Sequence, residues 1–416
     1  MRLFLALLLS WVITPVHAHI LHTGHGQPYL NITAAAKKAR PGDTILVHAG
    51  TYHGDQVLQG LQGTKDRWIY ILAEKDDAVQ FKGGAVAWKA SDIAYLHIEG
   101  FVFIRQTDNG LNIDDGGTYD SPAHHIVFRH CAFRDMAAKG NNDLLKLSGV
   151  DNFTLQQCTF LNGSAGGSGI DMVGCHDGLI TQCRFENMGS NAVQAKGGSS
   201  NIRIEANTFK NAGSRSINLG GGTGLPFFRP ANATVEATRL KVYSNLFIGS
   251  DVPVAFVGCT DSEVINNTIY KPGRWVLCIL QENKDTIRFA KCSNNSFRNN
   301  LVYIDEQVHT VCNIGGGTMP QTFNFSNNLW FQMGNDTWAG PQLPTVETGT
   351  MLNKDPLFKN AAAEDFTLRP QSPAAGTGVE TALPEKDRHR NTFRKRRSIG
   401  AFEVLPGAAE PGSDSK

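Results

Sequence analysis

The chain has 416 residues and carries 39 Lys and Arg against 38 Asp and Glu, so its net charge is close to zero. No positive field covers the whole molecule, which excludes an electrostatic grip on nucleic acid or on an anionic membrane as its default mode of action. Glycine is abundant at 43 residues, and pairs containing Asn recur throughout; both residues tolerate the left-handed backbone of tight turns, so the composition favours many short strands over long helices.

At the start of the chain, Arg2, the apolar run Leu3 to Thr14 and the small residues around Val16-His17-Ala18 have the layout of an export signal. The apolar run is too short to span a bilayer as a helix. Cleavage after Ala18 would give a folded domain over 19–404 and leave residues 405–416, small and polar, as a disordered tail. The expectation is a secreted protein, extracellular or periplasmic, of bacterial type, with no membrane span and acting as a monomer.

Asn31 to Arg40 reads as a helical run that stops at Pro41-Gly42-Asp43, followed by the strand Thr44 to His48 and the turn Gly50-Thr51-Tyr52. From there a repeat takes over. Cys131-Ala-Phe, Cys158-Thr-Phe and Cys183-Arg-Phe place one Cys at one position per repeat, which continues as Asn207, Asn245, Asn267, Asn300 and Asn328. A period in the twenties with occasional insertions is the signature of a solenoid. The cysteines read as buried free thiols rather than disulfides, and no Cys/His spacing suggests zinc. A column of Asn can hydrogen-bond from rung to rung at the sheet spacing of ~4.8 Å. The pattern predicts an all-β, single-stranded right-handed parallel β-helix whose open N-terminal end is capped by a helix.

Each repeat also carries a short strand whose first and third residues are apolar: Leu111-Asn-Ile-Asp114, Leu145-Lys-Leu-Ser148, Ile170-Asp-Met-Val173, Val193-Gln-Ala-Lys196 and Ile217-Asn-Leu-Gly220. Alternation then points the second and fourth residues outward. One outward column is Asn112, Lys146, Asp171, Gln194 and Asn218; its neighbour is Asp114, Ser148, Val173, Lys196 and Gly220. A row of mixed polar groups on a flat sheet can bind a linear polymer of sugars. Asp114, Asp115 and Asp171 are candidate oxygen ligands for Ca²⁺.

These segments resemble the pectate-lyase-like superfamily of secreted β-helix proteins. Pro41 to Tyr52 is similar to its usual first rung, and Ser372 to Gly378 with Ile399-Gly-Ala-Phe-Glu403 to its usual tail. The stretch Ala192 to Asn207 resembles the catalytic-lysine rung of the chondroitinase B and alginate lyase family. That resemblance implies Lys196 as a base, helped by an arginine on the next rung, where this chain has Gly220. Arg215, just ahead of that strand, is a candidate replacement. Arg229 lies in the inserted segment Gly220 to Pro230 and could pair with a carboxylate, while Phe227 and Phe228 could stack on sugar rings.

The leading expectation is a polysaccharide lyase that cleaves an acidic, uronate-containing glycan by β-elimination. Lys196 or Lys146 would be the base, and Asn112, Asp171, Gln194, Asn218, Arg215 and Arg229 would bind substrate. A C5-epimerase begins with the same proton abstraction, and a noncatalytic carbohydrate-binding protein remains a third reading. Hydrolysis is disfavoured, because paired aspartates with a neighbouring His and a basic pair do not assemble. The basic run Arg394 to Arg397 reads as a solvated loop.

Overall fold

The computed structural model describes residues 18–117 and 120–405. The export signal and residues 406–416 of the expected tail lie outside them. Among the described residues the chain winds through three long parallel sheets of twelve, ten and twelve strands, and strand order along each sheet follows the chain. Each coil gives one short strand to each sheet, as with Val150–Gln156, Thr159–Leu161 and Ser168–Val173, then Leu179–Thr181, Arg184–Met188 and Asn191–Lys196. The architecture is the expected single-stranded parallel β-helix.

Alternation builds the interior. Leu145, Leu147, Ile170, Met172, Val193, Ala195, Ile217 and Leu219 are all exposed by 2 % or less. Burying each of the larger ones stabilises the fold by roughly 1.5–3 kcal/mol. Phe133, Phe160, Phe185, Phe209 and Phe247 stack inside the coil with centroids 4.7–4.9 Å apart, the spacing of the strands themselves.

The Cys and Asn column lies at one bend. Cys131, Cys158 and Cys183 are buried free thiols. Beyond them the Asn side chains form a ladder. Asn207 Nδ2 donates to Asn245 Oδ1 (3.0 Å), Asn245 to Asn267 (3.1 Å), Asn267 to Asn300 (3.0 Å) and Asn300 to Asn328 (3.1 Å). Each Oδ1 also accepts the backbone N–H of the preceding Asn, as Asn267 Oδ1 does from Asn245. The ladder ends on Glu347, whose carboxylate accepts from Asn328 and from the Trp330 indole.

The N-terminal helix is shorter than the sequence suggests, Ile32–Ala36. Asn31 caps it, its Oδ1 accepting from Ala34 N, and Ile32 and Ala35 face the core. Lys37 and Lys38 are exposed, so no burial supports a further turn, and short helices owe most of their stability to packing.

The C-terminal tail is ordered and doubles back along the outer face of a twelve-stranded sheet. Phe358, Phe366, Leu368, Ile399 and Phe402 pack against Leu246, Leu301, Leu329 and Phe331. Arg388 donates to Ala206 O, Arg390 pairs with Glu205, and Arg397 reaches Asn266. Arg397, expected in a solvated basic run, is therefore buried, because carbonyls of Thr381 and Pro384 and the Phe393 ring enclose its guanidinium.

Truncating a ladder member leaves several buried groups unsatisfied, each costing about 1–3 kcal/mol. Asn267→Ala is expected to lower stability in urea unfolding by about 2–4 kcal/mol. A loss below about 0.5 kcal/mol would show that the ladder is not stabilising.

Candidate functional site

The ten-stranded sheet carries the site. Register pairs Asn112 with Lys146, Lys146 with Asp171, Asp171 with Gln194 and Gln194 with Asn218, so these residues form one outward column. Lys196 stands beside it, opposite Val173.

Asp171 is the centre of the cluster. It is 2 % exposed although it lies on the outer face. Lys146 Nζ donates to its Oδ2, and Lys196 Nζ lies 3.2 Å from its Oδ1. Oδ1 receives no well-directed hydrogen bond, so the Lys196 contact is chiefly electrostatic. Lys196 also donates to Gln194 Oε1 at 3.3 Å. Asp143, in the turn before the Lys146 strand, lies 3.5 Å from Lys146 Nζ and accepts the backbone N–H of Ser168 at 2.8 Å.

The two lysines differ. Burial works against the Lys146 charge, but the carboxylates of Asp171 and Asp143 outweigh it and hold its amine above its ordinary value. That is the reverse of the lowering a lysine base needs. Burial, together with the charge of Asp171, pushes the Asp143 carboxyl up to about 6, against the pull of Lys146.

Lys196 opens into a groove of about 470 Å³ lined by Asn141, Asn191, Gln194, Arg215, Asn218 and Glu282. Arg215 donates to Asn218 Oδ1 (3.2 Å) and to Glu282 Oε1 (2.9 Å). Gly220, where the resemblance implies an arginine, has φ +102°, and a Cβ there would lie 1.8 Å from the Val257 carbonyl oxygen. No side chain fits at that point. Arg215, five residues earlier on the same strand, brings the guanidinium to the groove instead.

Other expected residues are engaged elsewhere. Arg229 does not reach the groove: its guanidinium grips both carboxylate oxygens of Asp115, and its stem lies over Gly174. Phe228 is buried against Phe289 and Arg288, leaving Phe227 exposed. Asp114 Oδ1 accepts the N–H of Gly116. With Asp115 taken by Arg229, the Asp114–Asp115 pair does not fit Ca²⁺, and among the described residues no three His, Cys, Asp or Glu side chains gather in a form that could hold a metal. Asn112 sits at the far end of the column, its amide oxygen accepting from Asn109.

Asp143, Glu282 and Glu236 escape a reading confined to the strands. Glu236, buried just beyond the insertion, accepts from Gly197 N (2.9 Å), from Thr223 N (2.8 Å) and Oγ1 (2.7 Å), and from Asn283. It thereby ties the loop after Gly220 to the turn after Lys196. Asp143 precedes its strand in a turn, and Glu282 comes from a loop 67 residues beyond Arg215. A carboxylate two residues before a strand is the only signal that pointed to Asp143.

Because its carboxyl binds a proton more tightly in the folded than in the unfolded chain, Asp143 makes stability fall as pH rises from about 3.8 to about 6. Asp143→Asn is expected to flatten that part of the stability–pH curve in thermal unfolding at pH 4, 5, 6 and 7. A slope equal to that of the wild type would remove Asp143 as its source.

Residues 79–269 match the family model described as right-handed β-helix region. A search of curated proteins finds no match. Among solved structures, pectate lyase Pel9A is 14 % identical with a TM-score of 0.59, the alignment covering 93 % of this chain and 96 % of that one. A PL6 family polysaccharide lyase from Pseudopedobacter saltans is 11 % identical with a TM-score of 0.50, covering 92 % and 98 %. A GH136 lacto-N-biosidase from Eubacterium ramulus is 11 % identical with a TM-score of 0.51, covering 80 % and 68 %. At such identities the likeness is one of fold, and the fold hosts more than one chemistry. With rungs in strict chain order and a matched repeat region, the chain has the right-handed parallel β-helix fold.

Proposed function

We propose that the protein is a secreted polysaccharide lyase that cleaves a uronate-containing glycan by β-elimination, with Lys196 as the base. The observation that carries this reading is the position of the Lys196 amine. It opens into a groove beside Gln194 and Asn218, with Arg215 at the rim. β-Elimination needs a neutralised carboxylate, a base for the C5 proton and an acid for the leaving oxygen.

In this mechanism the substrate carboxylate displaces Glu282 from Arg215 and takes further hydrogen bonds from the amides of Gln194 and Asn218. Lys146 is the tighter partner of Asp171 and stays protonated, which leaves Lys196, acting in its neutral form, as the base. Lys196 Nζ then takes the C5 proton, the C4–O bond breaks, and Lys146 gives a proton to the departing oxygen. Asp171 holds both amines in place throughout. The two structural neighbours named as polysaccharide lyases support the class of chemistry only through their shared fold.

A noncatalytic carbohydrate-binding role is the second reading, favoured by the ion pairing of both lysines with Asp171. A C5-epimerase would share the first proton transfer and return the proton.

Incubation with alginate, pectate and chondroitin or dermatan sulfate is expected to produce unsaturated-uronate absorbance on one of them. Lys196→Ala is expected to lower that rate by at least about 100-fold, the scale of a positioned acid–base group. Full activity in Lys196→Ala with none in Lys146→Ala would sink the assignment of the base. No absorbance and no change in epimer composition by NMR would leave binding as the function. Because Arg229 occupies Asp115, EDTA is expected to leave the rate unchanged. Loss of activity that added Ca²⁺ restores would overturn that expectation.

A further inference from the structure

Beyond the groove, the outer face of the same sheet changes character. Arg215 pairs in register with Val252, and just ahead of the next strand Trp275 N donates to Asp251 O at 3.0 Å, which sets Trp275 beside Val252. Trp275 thus continues the Arg215 row two rungs on, about 10 Å away at the spacing of parallel strands. There Val252, Ala255, Val257 and Cys278 form a buried apolar floor, with Trp275 packed against it.

Arg274 lies over the ring that packs on this floor. Its guanidinium sits over the Trp275 indole, 3.9 Å from the ring centroid. Among the described residues it has no carboxylate or carbonyl partner, unlike Arg215, which is already paired with Glu282. Burial raises the Cys278 thiol, and the Asn313 amide, then Arg215 and Arg274, pull it the other way.

A guanidinium stacked on an indole keeps its edge N–H groups free and its plane fixed. Such an edge matches a carboxylate with two parallel hydrogen bonds, and prior orientation reduces the ordering cost of binding. We propose that Arg274, held on Trp275, is a second carboxylate-binding subsite that takes a uronate of the glycan other than the one bound over Lys196. This deepens and rests on the reading of the groove as a polyuronate site. It makes the substrate class a polymer with several acidic sugars in sequence rather than one with a lone uronate among neutral sugars.

The test is calorimetric binding of uronate oligomers to the Lys196→Ala protein, which separates recognition from turnover. The probes are dimers and hexamers of mannuronate and of galacturonate. The hexamer of one series is expected to bind more tightly than its dimer. Adding Arg274→Ala is expected to weaken hexamer binding about tenfold, or about 1.4 kcal/mol, and to leave dimer binding unchanged. Trp275→Phe is expected to give a smaller loss, with thermal unfolding unaltered as a check on folding. Hexamer affinity that is indifferent to Arg274→Ala overturns the subsite alone. Absence of binding to every probe overturns the polyuronate reading and the subsite with it.

Discussion

The parallel ladder between successive coils fixes every side chain ~4.8 Å from its counterpart one turn away. Inside the solenoid this spacing suits flat rings and amides, so the Phe stack and the Asn ladder run for several rungs. Outside, the same spacing is close to the reach of an ion pair, and it brings Lys146 and Lys196 to Asp171 from either side. A slip of one residue in a strand would turn Asp171 inward and present Met172 to solvent, which burial of the inner face forbids. Interior packing thus positions the outer cluster.

The cluster shows how a buried charge is tolerated. Asp171 is compensated by two ammonium groups, and the neighbouring Asp143, driven first by its burial and then by the charge of Asp171, holds its proton more tightly. Farther out, charges serve architecture. Arg229 reaches back to Asp115 across 114 residues of sequence, and Glu236 fastens the loop after Gly220 to the turn after Lys196. These two contacts explain why a long insertion can stand beside the site without opening it.

The repeat and its outward column were legible because a period of two within each strand and a period in the twenties between strands leave little freedom. Lys146, Asp171, Gln194 and Asn218 fall in line for that reason. What lies in turns and insertions was not legible. Arg229 looked available for substrate because nothing in its own segment reveals a partner so far up the chain. The length of the first helix was overestimated because propensity extends through Lys37 and Lys38 while core contact does not. The expected helper arginine at position 220 is excluded by the Val257 carbonyl, a contact set by the following rung.

The returning tail changes the mechanics of the molecule. A bare solenoid is a row of units that feel only their immediate neighbours and can melt one after another from an end. Here the tail bolts the coils near Glu205, Ala206, Asn266 and Leu329 to one another over distances no single ladder covers. That half is cross-braced into a single cooperative block, while the coils nearer the amino terminus rely on the ladder between neighbours and on the Arg229–Asp115 bridge. The groove straddles the junction, with Asn141 and Gln194 on the amino-terminal side and Arg215 on the braced side, so its two walls belong to regions of unequal stiffness.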